Sequence, residues 1–430
     1  MDRTERSAST RFFSNLIQDR QGLSHQPGSV LGSTALIAGT TIGAGILALP
    51  AFTLPSGIIP STVLLITVWL YALAAGLLIA EANLNLMRMG RSESGLLSMI
   101  SETLGVTGAR VAGGVYLFMH YALLVAYMSQ GGEILLNAIE RFSGTHALAD
   151  WLGVVLFTAL FGGILYLGHQ RFVERINSAF VAIVLLSFAG LLLFGIREVN
   201  PAQFLIQDWQ ALSPALSVMF VALFYHNVIP VVTTQLEGDV VKIRQSIVTG
   251  SLIPLVMFLV WNAVVLGSIR PEMLQETVNG SPLFDPLKVL RNGAAGDGLG
   301  VLISVFSEFA IVTSFIGFVY GLLDFFQDLW KVSPGDRTQR LPLYSLVFLP
   351  SISFSTLNPG IFFTALDYVG TFSISVLGGM IPAIIIWKQR YEQETSDLIQ
   401  PLVPGGRLML SGMIVIALII ILRQFLLLLQ

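Results

Sequence analysis

Apolar residues run along this chain in long blocks separated by short polar connections. About 20 apolar residues are enough to cross a bilayer as a helix. Read at that length, the blocks predict eleven crossings, at about 29–53, 60–87, 111–139, 151–168, 173–196, 212–235, 247–268, 299–330, 342–358, 361–387 and 406–428. The least regular pair flanks Pro350 and Pro359. The connections are too short for a separate soluble domain. Residues 88–110 (RMGRSESGLLSMISETLGVTGAR) predict a short interfacial helix. Residues 269–298 hold Pro271, Pro282, Pro286 and a glycine-rich run, and are expected to cover an outer vestibule. Residues 1–28 are polar, lack an apolar leader and are expected to be a disordered tail.

Lys and Arg positions orient the spans, because connections rich in them stay in the cytoplasm. With the N-terminus inside, 17 of the 23 Lys and Arg residues fall on the cytoplasmic side, from Arg3 to Arg407. Arg141, Arg197, Arg270, Lys288, Arg291 and Arg423 fall outside. The C-terminus is then external, and the expected location is the cytoplasmic (inner) membrane.

Composition agrees with this class. Hydrophobic residues make up 54% and charged residues 11% of the 430 positions, against roughly 25% charged in soluble domains. The absence of cysteine excludes disulfides, thiolate metal sites and cysteine nucleophiles. No HExxH or nucleophile-plus-base pattern is visible, so an enzyme is not expected. The five histidines are scattered, and neither a metal nor a cofactor is expected. No nucleic-acid partner or obligate protein partner is indicated, only membrane lipid and a small solute.

Two spans are interrupted. The first contains Gly39-Thr40-Thr41-Ile42-Gly43-Ala44-Gly45, and glycine is a poor residue for a helix centre. Broken backbone at membrane depth is tolerated only inside protein or along a polar cavity. The competing reading is a close-packing face, since Gly39 and Gly43 are four apart. The sixth span contains Tyr225-His226-Asn227-Val228-Ile229-Pro230, where proline stops a helix. The two breaks lie five spans apart in oppositely directed helices. That pattern predicts an inverted five-plus-five repeat with a solute site at the midplane. Repeat one is about 29–196, repeat two about 212–387, and 406–428 is an extra helix.

Thr40, Thr41, Ile42, Gly43, Ala44 and Gly45 then surround a helix N-terminus that suits a carboxylate. The half-helices ending near Gly39–Ile42 and Phe224–His226 present carbonyls to an ammonium or a cation. The pair describes a zwitterionic amino acid. Phe220, Phe224, Tyr225, His226 and Asn227 join the substrate set, although a satisfied polar pair is the alternative for His226 and Asn227. Tyr127 shares a face with His120 and Leu124 and can touch substrate or only pack. For His120 a structural hydrogen bond competes with a proton role. Thr313 and Ser314, with Ala310 one turn earlier, can bond their own helix carbonyls or help Gly39 and Ile42 hold a small cation.

The runs GTTIGAGILALP, YALLVAYMSQGGEIL and VTSFIGFVYGLLDFF resemble the hydroxy and aromatic amino acid permeases, which include tyrosine and tryptophan permeases of the amino acid–polyamine–organocation superfamily. The resemblance covers the chain from about Ser29 onward. It implies an all-α, LeuT-like 5+5 inverted repeat with helices one and six broken, and symport of tyrosine or tryptophan, usually driven by protons. It also implies that a sodium site, if present, falls on Gly39, Ile42, Ala310, Thr313 and Ser314. A lysine used for proton coupling by some superfamily members has no counterpart in FVERINSAFVAIVLLSFAGLLLFG. His226 is then the candidate proton carrier. A sodium-coupled neutral amino acid transporter is the alternative, and a channel is the reading from a different class.

Overall fold

Helix ends along the chain carry the caps that their sequences supply. Ser29 Oγ accepts from Gly32 N–H at 2.9 Å and starts the first span. The Asp239 carboxylate accepts from Lys242 N–H at 3.2 Å and starts the seventh. Gly144, at φ 66, ends the third in the left-handed region that glycine enters most cheaply. The structure, a computed structural model, describes residues 16–19, 22–25, 28–43, 45–90, 95–144, 148–197, 199–269, 285–290, 297–330, 337–392 and 399–429.

The first span is two helices, Val30–Thr41 and Gly45–Thr53, bent by 51°. Helices follow at Ile58–Arg88 and Leu96–Ser143. Gly105 (φ 76, ψ −175) breaks the latter near its start, so residues before it form the separate helical segment expected of the 88–110 connection. The fourth span, Asp150–Leu167, contains a π-helical turn at Thr158–Gly162, and the fifth is Gln170–Gly195. The sixth consists of Ala215–Ala222, a 3-10 turn at His226–Val228, and Ile229–Gln235 with Pro230 in its opening turn. Val240–Ser268 and Asp297–Trp330 are the seventh and eighth. Phe362–Tyr391 is the tenth, π-helical over Val369–Met380, and Gly406–Leu428 is the last.

Among the described residues nine helices are long and apolar enough to cross a membrane, and the bent pair makes a tenth. The expected crossing at 342–358 lies within a helix, Arg337–Leu357, that falls short of that apolarity. Pro342 and Pro350 lie inside it, and with its serines they lower its hydropathy. Ser351, Ser353 and Ser355 satisfy their hydroxyls on carbonyls one turn earlier. The tail also departs from expectation. Leu16–Asp19 and Gly22–His25 pair as antiparallel strands within the segment expected to be disordered, while residues 1–15 lie outside the described set. Residues 270–284 and 291–296 of the long outer connection lie outside it as well. The short helix Pro286–Val289 is held by Lys288 Nζ, 2.6 Å from Glu133 of the third span.

Packing sorts the spans into two sets. The first half of span one lies on span seven, where a methyl added at Gly250 would stand 2.7 Å from Ile37 Cβ. Thr34 and Thr249 share a hydrogen bond of 3.1 Å across that contact. Spans three, four, five and eight pack together on the other side. Gly132 and Gly153 let spans three and four touch backbone to backbone.

Candidate functional site

The two broken helices meet where they are broken. A methyl added at Gly45 would stand 2.7 Å from Ala222 Cα, so the start of one half-helix abuts the end of another. A methyl at Gly43 would stand 2.6 Å from Ser314 Oγ, so the same break faces span eight. Around this junction lies a cavity of about 740 Å³, within the usual range of roughly 300–1,000 Å³ for a small-molecule site.

Its walls are Gly39 to Gly43 and Gly45 of the first span, with Tyr127 of the third and Phe224 and Asn227 of the sixth. Thr313 and Ser314 complete the expected set that lines it. Ala44 lies outside the described residues. Four expected residues stand elsewhere. Phe220 packs edge-on against Tyr71, with centroids 5.3 Å apart. Tyr225 is turned to span two, its hydroxyl donating to the Ala72 carbonyl at 3.3 Å and its ring against Gly76. His226 is buried behind the wall, stacked on Phe224 and Tyr225 at 5.2 and 5.0 Å. Neither of its ring nitrogens makes a hydrogen bond of ordinary geometry. Ala310 is buried, and its carbonyl accepts from Thr313 Oγ1 at 3.1 Å and Ser314 Oγ at 3.0 Å. Those two hydroxyls therefore give their protons to their own helix.

The cavity also has walls that were not singled out from sequence. Asn177 of the fifth span lines it, and its side-chain oxygen, like that of Asn227, is buried without a hydrogen-bond partner. Tyr116, Phe318 and Gly321 line the end around His120. The signals were spacings: Tyr116 is one turn before His120, while Phe318 and Gly321 continue the Ser314 face at i+4 and i+7.

No Asp, Glu, Lys or Arg among the described residues lines the cavity. Its polar equipment is hydroxyls, two amides, one imidazole and the backbone of the breaks. The nine-residue half-helix from Gly45 sets the positive end of its dipole at the break, where the Ile46 N–H donates to the Gly43 carbonyl at 3.2 Å. At the end of the half-helix closing at Ala222, the Leu223 and Phe224 N–H groups bond the Met219 and Val221 carbonyls at 3.0 and 3.2 Å, and the negative end of the helix dipole lies at the break. A solute with both charges and no net charge can be held there without a buried counter-ion. The remaining wall is rich in rings.

A bundle of membrane-length helices in which two broken spans meet at a cavity has the architecture of the LeuT-like class of solute transporters. The chain matches the model of the tryptophan/tyrosine permease family over residues 26–424 and belongs to that family. It is therefore a multi-pass membrane permease and not an enzyme. It is 31% identical to tyrosine-specific transport system 1 of Haemophilus influenzae over 363 residues, 84% of this chain and 88% of that protein. It is 27% identical to the tryptophan-specific transport protein of the same organism, covering 92% and 95% of the two chains. The crystal structure of MhsT in complex with L-phenylalanine is similar in fold, with a TM-score of 0.58 at 18% identity, covering 93% of this chain and 99% of that one.

Proposed function

We propose that this protein imports tyrosine, tryptophan or both across the cytoplasmic membrane by proton-coupled symport, with its N-terminus inside and its C-terminus outside. The observation that carries the reading is a cavity with no charged side chain among the described residues, set between two helix breaks and walled by Tyr116, Tyr127, Phe224 and Phe318. The breaks suit the α-carboxylate and ammonium, and the rings suit an aromatic side chain. The tyrosine and tryptophan specificities in the relatives' names support the same class of solute. Alternating access then amounts to rocking the set that holds spans one and seven against the set of spans three, four, five and eight around this site. For the proton, His226 is the candidate. It belongs to the turn that joins the halves of span six, and rearranging that turn would change its surroundings.

One observation favours a second reading. Gly43 lies against Ser314, and Thr313 and Ser314 line the cavity together with Gly39 and Ile42. That grouping suits sodium and a neutral amino acid.

Labelled uptake into proteoliposomes, with proton and sodium gradients imposed separately, tests both. Accumulation of tryptophan or tyrosine on a proton gradient alone, with altered pH dependence in His226→Ala, is expected. Accumulation on sodium alone, lost in Thr313→Ala/Ser314→Ala, would replace the proton reading with the second. No aromatic uptake by folded protein under either gradient would overturn the substrate assignment.

A further inference from the structure

His120 sits in the third span with its ring between Tyr116, at a centroid distance of 3.9 Å, and Phe318, at 4.9 Å. Its Nδ1 lies 2.9 Å from the Tyr116 carbonyl oxygen. A carbonyl can only accept, so Nδ1 carries the proton. In the neutral ring Nε2 is then left as an acceptor. No hydrogen bond to Nε2 is made among the described residues. The position beside it is Gly321 of span eight, where an added methyl would stand 2.6 Å from Nε2. Both residues line the cavity. The bare backbone at Gly321 therefore lets the imidazole edge pack closely against span eight, at the cavity wall between aromatic rings.

An aromatic-walled pocket sorts tryptophan, tyrosine and phenylalanine poorly by apolar contact alone. The first two differ from the third in carrying a ring donor, the indole N–H or the phenol O–H. We propose that His120 Nε2 accepts this donor and so selects tryptophan and tyrosine over rings that lack one. The inference rests on the aromatic-import reading and adds to it a specificity-determining residue. The Tyr116 carbonyl acts through His120 by fixing which nitrogen accepts. A site that offers an acceptor penalises the analogue without the donor, because the buried acceptor is then left unpaired.

The test is competition against labelled tryptophan uptake in proteoliposomes by phenylalanine, tyrosine and 3-(benzothiophen-3-yl)alanine, in which sulfur replaces the indole N–H. Wild-type protein should prefer tryptophan over the benzothiophene, and tyrosine over phenylalanine, by about tenfold each. His120→Phe should bring both ratios near one, weakening tryptophan and tyrosine while phenylalanine competes better, because no acceptor is then left unpaired. His120→Gln, which restores an acceptor, should recover most of the preference. Equal losses for all ligands in His120→Phe would make the residue structural and overturn the proposal. So would unchanged ratios. If His120→Phe does not fold, the wild-type ratios and His120→Gln still decide, and a wild-type benzothiophene ratio near one overturns it. Wild-type protein that takes up no aromatic amino acid would instead remove the import reading beneath it.

Discussion

At the scale of single residues, the glycines at the breaks differ in what surrounds them. Gly45 lies against Ala222 backbone, whereas an added methyl at Gly39 meets nothing within 4 Å. Gly45→Val is expected to destabilise the protein by about 1–3 kcal/mol and to stop uptake, whereas Gly39→Ala should keep the wild-type melting temperature. Thermal unfolding of purified protein in detergent separates the two, and equal melting temperatures would contradict the close approach at Gly45. The breaks themselves were readable in the sequence, because glycine clusters and Pro230 interrupt helices on local grounds. Which residues of a break face the cavity was not. Helical periodicity assigns faces only while the helix continues. Between Ala222 and Ile229 it lapses, so Asn227 reaches the cavity while Tyr225 and His226 turn behind it. Asn177 escaped notice because a polar residue about two turns from a helix end reads as interfacial.

Elements are tied together at their ends by polar contacts rather than by apolar packing alone. Arg390 at the end of span ten forms two bonds of 2.6 Å to Glu81 of span two, with 9% and 1% of the side chains exposed. Leu402 N–H donates to the same carboxylate at 2.8 Å, and Asn85 binds both Gln389 and Ile399 N–H beside it. This cluster fastens the approach to the last span onto span two. Removing one partner leaves a buried charge unpaired, which costs about 3–5 kcal/mol, whereas replacing both with apolar groups costs much less. Arg390→Met should therefore unfold at a lower temperature than Glu81→Met/Arg390→Met. A thermal series on the two single variants and the double checks this, and a double variant less stable than either single one would contradict it. Such ties were hidden in the sequence, since Glu81 and Arg390 lie 309 positions apart. The spans were visible because hydrophobic length is local. The π-helical stretches in spans four and ten were not, because an extra residue per turn leaves composition unchanged.

For the whole molecule, the two ends of the bundle differ. One end is closed. Trp261 Nε1–H donates to the Ile46 carbonyl at 3.0 Å, Asn262 bridges Thr53 and Ser61, and Phe52 packs on Phe363. Toward the other end the cavity continues past Ala35, Leu36 and Asn177, near the starts of spans one and five. The chain has no cysteine, so single cysteines can be introduced as reporters. Leu36→Cys and Asn177→Cys are expected to react with an impermeant maleimide supplied from the cytoplasmic side, and Phe52→Cys is not. Reaction at Phe52→Cys alone, from outside, would reverse the assignment. With the proposed orientation, the open end faces the compartment that import fills. The unloaded carrier therefore waits with its site exposed to its own product. Amino acid already accumulated inside rebinds before the carrier can turn back, so net uptake slows as the internal pool rises. The proposed importer would then limit its own filling without a separate regulatory site, and a preloaded vesicle should show slower initial net uptake than an empty one.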